Sequence, residues 1–411
     1  MKKLLSFILF FLAGTTLYAG GYRVSIQGQK QLAMGHTGVA VISSAESAFF
    51  NPAGLSYLDG KLNVSFGVSG IISKVKFQNT TEGYASETDN PLSTPLNLYA
   101  SYKINDWLTA GIAVYTPYGS SVEWEKDWSG SNLINDIKLQ AIFVQPTISI
   151  KVNEFLSIGG GPTYVNGSVN FNRNLDTGGG NINGDRANVT VDKTGISAWG
   201  YNLGVMIRPT ENFNIGFNYR SKVIMEAENG EADFESISVL PDGKFDATLP
   251  LPAELTLGLS YKFCKKWLFA FDYNFAEWSE YEALVVEFDN AAGTSTNLRN
   301  YSDASTYRFG LQYDVNSKWT ARTGIYFDES PVEDGYFAPE TPRNDSVGYT
   351  AGLSYRINDK FSIDASFLYL HFDETDNSYD YIQNPDGSYS SFGGTYKSNV
   401  IAPGIGISYK L

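Results

Sequence analysis

The sequence predicts an all-β chain: a 14-stranded antiparallel transmembrane β-barrel with an N-terminal plug segment inside its lumen. Three observations point there. Aromatic residues make up 15% of the 411 residues and Gly numbers 40, yet no apolar run beyond the N-terminus approaches the roughly 20 residues of a membrane helix. One unit recurs along the chain: an alternating strand, a tight polar turn, then another alternating strand. Between copies lie long polar segments, the pattern of a barrel with short turns on one side and long loops on the other.

In chain order, residues 1–19 read as a secretory signal peptide. Lys2 and Lys3 form a basic start, Leu4 to Leu17 a short apolar stretch, and Ala19 a small-residue cleavage point. Residues 20–61 are rich in Gly and Ala, mildly charged and unnecessary for the wall, so they are assigned to the plug. Residues 62–411 are assigned to the transmembrane barrel. A lone strand at 62–77 begins it. Six hairpins follow at 96–115, 144–165, 198–220, 253–275, 307–327 and 348–370, and a single strand at 400–411 ends it. That even count of 14 closes an antiparallel barrel. Closure is compulsory, because lipid cannot satisfy an open sheet edge. The short turns belong on the periplasmic side. Seven long segments, near 78–95, 116–138, 168–195, 222–251, 276–305, 328–346 and 371–399, become outer loops.

Alternation assigns the faces. Leu255, Leu257, Leu259 and Tyr261 share one side of a strand, and Trp267, Phe269, Phe271, Tyr273 and Phe275 one side of the next. In a barrel these sides meet lipid, and Trp107, Trp267 and Trp319, each just after a turn, form an interfacial girdle. The opposite sides send Lys103, Arg220, Glu254, Lys262, Asp272, Arg308, Asp314, Arg322, Arg356 and Asp364 into the lumen, where mixed signs imply an ion-pair network. The formal charge is −14, and removing Lys2 and Lys3 with the leader makes it −16, which excludes a nucleic-acid partner. A single cysteine, Cys264, excludes an intramolecular disulfide framework.

The stretch ESAFFNPAGL at 46–55 carries a built corner. Pro52 pushes Asn51 out of the α region, and Gly54 follows two residues later. The corner stands between a Gly-rich segment and the first strand. This arrangement, with LAMGHTGVAV at 32–41, the mature start Gly20-Gly21-Tyr22 and YTPYGSSVEW at 115–124, resembles the FadL family of outer-membrane transporters for long-chain fatty acids and aromatic hydrocarbons. The family's Asn-Pro-Ala signature falls on Asn51, Pro52 and Ala53, and strand count and plug placement agree over the mature chain. Leu411 departs from the more usual terminal aromatic.

The resemblance implies capture of a hydrophobic ligand at the outer loops, passage to a pocket above the plug, and sideways exit past a kinked third strand. That strand is expected at about 107–116, with Gly111 and Pro117 weakening its pairing. Met34, Phe49, Phe50 and Leu55 of the plug, and Tyr115, Tyr118 and Trp124 on the loop side, are the expected ligand-contact or gating residues. Asn51, Pro52 and Ala53 form the corner from plug to wall, and Arg220, Arg308 or Arg322 is expected to hold a carboxylate headgroup. Implied partners are the ligand, outer-membrane lipid with lipopolysaccharide, and the barrel assembly machinery. The implied location is the outer membrane of a Gram-negative bacterium. No catalytic residue, metal or cofactor is expected.

Three rival readings differ in kind. A polar-solute porin needs an open lumen, which a plug opposes. A structural or adhesion barrel would use its loops for a partner. An outer-membrane hydrolase would need a dyad from His371 with Asp373 or Glu374, and the acidic run 373–377 lacks the spacing and Gly of a calcium loop.

Overall fold

The structure is a computed structural model that describes residues 21–79, 83–125, 127–175, 186–384 and 386–411. The signal peptide expected at 1–19 lies outside the described residues. The wall consists of β1 (Leu62–Ser69), β2 (Leu96–Lys103), β3 (Leu108–Glu123), β4 (Asp136–Lys151), β5 (Leu156–Asn174), β6 (Asn188–Thr210) and β7 (Phe213–Arg220). It continues with β8 (Glu254–Phe263), β9 (Trp267–Ala276), β10 (Ala304–Asp314), β11 (Trp319–Asp328), β12 (Ser346–Arg356), β13 (Phe361–Phe372) and β14 (Tyr389–Lys410). Each pairs antiparallel with its sequence neighbour, and β1 pairs with β14 from Asn63↔Lys410 to Ser69↔Gly404. The wall is therefore closed at 14 strands.

The side-chain period does what the alternation predicted. On β8, Leu257, Leu259 and Tyr261 are 47%, 41% and 49% exposed, while Thr256 and Ser260 face inward at 6% and 1%. Exposure here is exposure to lipid. Trp107 and Trp319 stand on the same outer surface beside the periplasmic turns, and Trp267 packs tilted against Tyr313 with centroids 4.3 Å apart. Two of the expected lumen charges, Lys262 and Arg356, are instead exposed at the periplasmic rim, because the strands turn there and water is available.

The expected outer loops are partly strand. β3 to β6 run well past the membrane, and further ladders form at Ile72–Gln78, Val223–Glu235, Gly243–Leu251, Ala283–Phe288, Thr294–Leu298 and Thr375–Gln383. Alternation persists in these segments, with the apolar side turned inward onto a cavity instead of outward to lipid. Polarity alone hides such strands.

Residues 21–61 fill the lumen and are buried along most of their length. They make two single turns of helix, α1 (Gln29–Leu32) and α2 (Ser47–Phe50), and a 3-10 turn at Pro52–Tyr57. Asn51 is extended at φ −161°, and its Oδ1 accepts from Ala53 N at 3.1 Å, a cap followed by Pro at the first helical position. The wall makes room for this segment with glycine. A Cβ on Gly324 would lie 2.1 Å from Gly35 N, on Gly216 2.1 Å from Val39 O, and on Gly204 2.2 Å from Asn51 Oδ1. Gly310 and Gly324 are cross-strand partners, as are Gly216 and Gly258, so whole stretches of inner wall lack side chains where the plug backbone approaches.

Candidate ligand-binding site

Above the plug, the inward faces of β4, β5 and β6 and of the outer ladders enclose a cavity of about 130 Å³. Leu139, Phe171, Val191, Met225, Phe245 and Val286 are among its walls. One edge is polar. There Arg299 pairs with Glu340, and among the described residues Arg173 hydrogen-bonds only Ser295 Oγ, at 3.5 Å. Burial lowers the affinity of Arg173 for its proton, with Glu340 opposing that effect. Tyr281, outside the wall strands, has its hydroxyl pKa raised by burial against the nearby Arg299.

The floor of the cavity is the start of the plug. Tyr22 lies edge-on to Trp278 at 4.8 Å and to Tyr281 at 5.9 Å, and its hydroxyl donates to Pro250 O. Gly21 sits so close to Trp278 that a Cβ would come within 2.6 Å of the indole. The backbone here joins the wall: Gly119 N donates to Tyr22 O at 3.1 Å and Val24 N to Pro117 O at 2.8 Å. Arg23 then fans out to Asn274, Thr306, Asp328 and Glu254 on four wall strands.

That bridge exists because β3 bends. Its register on β4 slips between Tyr115 and Tyr118, two residues facing one, which is a β-bulge. Pro117 is in the bulge, where it withdraws a donor from the ladder. On the other side β2 pairs with β3 only up to Leu98↔Val114; beyond it β3 is bridged by the plug start at Arg23↔Tyr118 and then by the preceding loop at Thr88↔Trp124. The ladder between β2 and β3 is therefore interrupted above Val114. A cavity of about 380 Å³ occupies this region, bounded by Ile26, Leu92, Pro95, Thr116, Val122 and Leu368 among others. The expected contribution of Gly111 is corrected: it is in register with both Ser101 and Thr147, and its missing side chain accommodates Leu55 Cδ1, 2.8 Å from where a Cβ would be.

The other expected site residues divide by location. Phe49 lies edge-on to Tyr115 at 4.7 Å under the Arg220 guanidinium at 4.4 Å, and Phe50 packs on His36. Tyr115 donates to Gln145 at 2.6 Å and Tyr118 to Glu254 at 2.7 Å. Asn51 donates to Val39 O at 2.8 Å and to Val205 O at 2.9 Å; Ala53 O accepts from Ser149 and Ser157, at 3.1 and 2.8 Å; Pro52 starts the turn between them. Of these, Phe49 on Tyr115 and Arg220, Asn51 to Val205, and Ala53 to Ser149 and Ser157 fasten plug to wall. Met34 is wedged against Gly310 and Ala270, and Leu55 against Gly111. Trp124 stacks on Trp128 at 4.1 Å within an outer aromatic cluster and donates to Pro339 O. None of Met34, Phe49, Phe50, Leu55, Tyr115, Tyr118 or Trp124 lines the apolar cavity. Arg322 bonds Gln312 and Ser354 below it, and Arg220 and Arg308 border a separate polar space.

Tyr22, Arg173, Arg299, Glu340 and Tyr379 were not anticipated. Their convergence is set by contacts hundreds of residues apart, and only the preference for Arg near an apolar surface could have hinted at them. The acidic run at 373–377 is engaged locally: Glu374 meets Lys397 at 3.3 Å and Asp376 accepts from Thr395.

Comparison with known proteins agrees with this architecture. Residues 10–411 match the family model described as "Outer membrane protein transport protein (OMPP1/FadL/TodX)". Outer membrane protein P1 of Haemophilus influenzae is 25% identical over 81% of this chain and 79% of its own length. The long-chain fatty acid transport protein of Escherichia coli K12 is 22% identical over 88% of this chain and 90% of its own. Among solved structures, a Pseudomonas aeruginosa FadL homologue superposes with a TM-score of 0.82 at 20% identity, covering 95% of this chain and 99% of that one. The Pseudomonas putida toluene transporter TodX gives 0.74 at 20% identity, covering 93% and 97%.

Proposed function

Because the chain belongs to the outer membrane protein transport protein family (OMPP1/FadL/TodX), whose members are transporters and channels and not enzymes, we propose that it binds an apolar compound in the upper cavity and releases it sideways between β2 and β3. The observation that carries this reading is the coincidence of three features: an oily cavity, a plug start that floors it, and an interrupted wall ladder touching that same plug start. A polar porin needs none of them.

The physical advantage of a lateral route is solvation. Each CH₂ kept from water is worth about 0.8 kcal/mol, so a long alkyl chain sent straight through an aqueous lumen would face a barrier of roughly 8 kcal/mol for ten methylenes. A path from apolar cavity to lipid avoids it. The ligand class is an amphiphile with an acidic head, because Arg173 offers a poorly paired cation at the cavity edge. A relative named long-chain fatty acid transport protein supports an acid, and a neighbour titled toluene transporter supports a smaller hydrocarbon. Residues 20–61 act as the gate, with Asn51, Pro52 and Ala53 as its fixed hinge and Phe49, Phe50, Tyr115 and Tyr118 as its moving contacts. Its surroundings are outer-membrane lipid and lipopolysaccharide, into which the barrel assembly machinery inserts it.

The test is a titration of detergent-purified protein with oleate and toluene, read through Trp278 fluorescence. Val191→Trp fills the cavity and should weaken binding about tenfold or more, a loss of roughly 1.4 kcal/mol. Unchanged binding in that variant, or no binding of either compound to the native protein, overturns the proposal. High ion conductance of the intact protein would favour the polar porin instead.

A further inference from the structure

Beneath the Tyr22 floor the plug and the wall enclose a third cavity, of about 30 Å³. It is lined by charged groups where the upper one is oily. Arg23 and His36 reach it from the plug, Arg220 from β7 and Arg308 from β10. All four are deeply buried, at 8%, 3%, 6% and 6% exposure. Each retains polar atoms without a hydrogen-bond partner among the described residues: Nε of Arg23, Arg220 and Arg308, and both ring nitrogens of His36.

Two of the three guanidinium groups are compensated. Arg23 meets Asp328 at 2.5 Å and Glu254 at 3.4 Å; Arg220 approaches Glu254 at 3.9 Å and donates to Phe49 O at 3.1 Å. Arg308 is not. Among the described residues no hydrogen bond or ion pair joins its guanidinium. Its cross-strand partner Asp272 turns to the plug instead, where Oδ2 accepts from Gly38 N at 2.7 Å and Val39 N at 3.1 Å. Glu254 is the one carboxylate on the cavity lining, with Asp328 and Asp272 just outside it, so the three guanidinium charges are matched through space while Arg308 lacks an acceptor in contact. Val39, Phe49, Phe50 and Pro117 supply an apolar remainder. A buried guanidinium is held at a cost unless its donors find an acceptor.

We propose that this cavity is an anion site, in which the Arg308 guanidinium, assisted by Arg220 and His36, takes one small monovalent anion. The shared chemistry is that of chloride and of a carboxylate group. The space exceeds the 10–15 Å³ or so that a single water demands. Because His36 belongs to the plug and both arginines to the wall, the bound anion pins the plug to β7 and β10. The site uses residues separate from the upper cavity and stands whether or not that cavity binds an apolar ligand.

The test soaks crystals of the intact protein in sodium bromide and reads the anomalous signal. A bromide peak within hydrogen-bond distance of Arg308 is expected, and it should vanish in Arg308→Gln. In solution, at equal ionic strength, chloride should raise the unfolding temperature of the detergent-solubilised barrel above its value in sulfate, and Arg308→Gln should lose that difference. Adding acetate identifies the source. Displacement of bromide by acetate assigns the site to carboxylates as well, and retention assigns it to free halide. A cavity with water density and no bromide overturns the proposal, as does an equal chloride effect in Arg308→Gln. Should that variant fail to fold, the bromide soak of the native protein decides alone.

Discussion

Asn51 is one side chain holding two surfaces together. Its amide donates to a plug carbonyl, Val39 O, and to a wall carbonyl, Val205 O, while its oxygen caps the next turn. Asn51→Ala takes from Val39 O its Asn51 donor, at about 1–3 kcal/mol, and removes the side-chain tie to the strand carbonyl Val205 O. The expected result is a loosened plug, seen as raised single-channel ion conductance in planar bilayers with the barrel still resistant to dissolution. The corner was legible in the sequence because Pro and Asn act locally. The destinations of Met34 and Arg308 were not, since both depend on which wall strand comes opposite. Asp345 makes a second case. It lies outside the wall strands, where burial, then Asp373 and Glu329, raise its pKa to about 7. The folded protein therefore holds a proton there that the unfolded chain releases near the ordinary carboxylate value, and stability falls as pH rises from about 4 to about 7. Asp345→Asn should flatten that slope in unfolding temperatures measured at pH 5 and pH 8.

Among the elements, β3 carries the most function for the least regularity. Alternation predicted a strand ending near 116; the strand runs to Glu123, and the irregularity falls after Tyr115. A bulge breaks the period of two, so periodicity ends where the strand does not. Deleting Thr116 would restore one-to-one pairing with β4 and keep Tyr118 facing inward, since Tyr115 and Tyr118 would again lie two positions apart. The variant is expected to bind apolar ligand as before and to lose most ligand uptake by whole cells. Equal loss of binding would mean that the bulge shapes the cavity instead of the exit. The membrane parts of all wall strands were legible, because lipid imposes apolar alternation on them. Their outer continuations were read as loops for the opposite reason: there the apolar side faces a cavity and the polar side faces water, and no long contrast remains.

At the scale of the whole molecule, the abundance of glycine acquires a reason that composition alone cannot supply. Composition said barrel. The structure adds that Gly204, Gly216, Gly310 and Gly324 are the seat into which the plug backbone settles. The lumen charges behave likewise: they pair through the plug, by Arg23 with Glu254 and Asp328 and by Lys30 with Asp364, more than across the wall. The overall count of strands and the side that meets lipid followed from local pattern, whereas the fit of plug to wall is a property of the closed object.

That closure has a consequence in time. The seam joins β1 to β14, and Lys61 N donates to Leu411 O at 2.5 Å, so the ring cannot be sealed until β14 is in place. The N-terminal segment must already be nested before the circle shuts, because a backbone locked against glycine on so many staves has no later way in. Manufacture is thus irreversible in order: stopper first, cask second. A peptide of residues 21–61 supplied to a barrel folded without it should fail to lower ion conductance, and success would show that the seam opens far more readily than its ladder of paired strands implies.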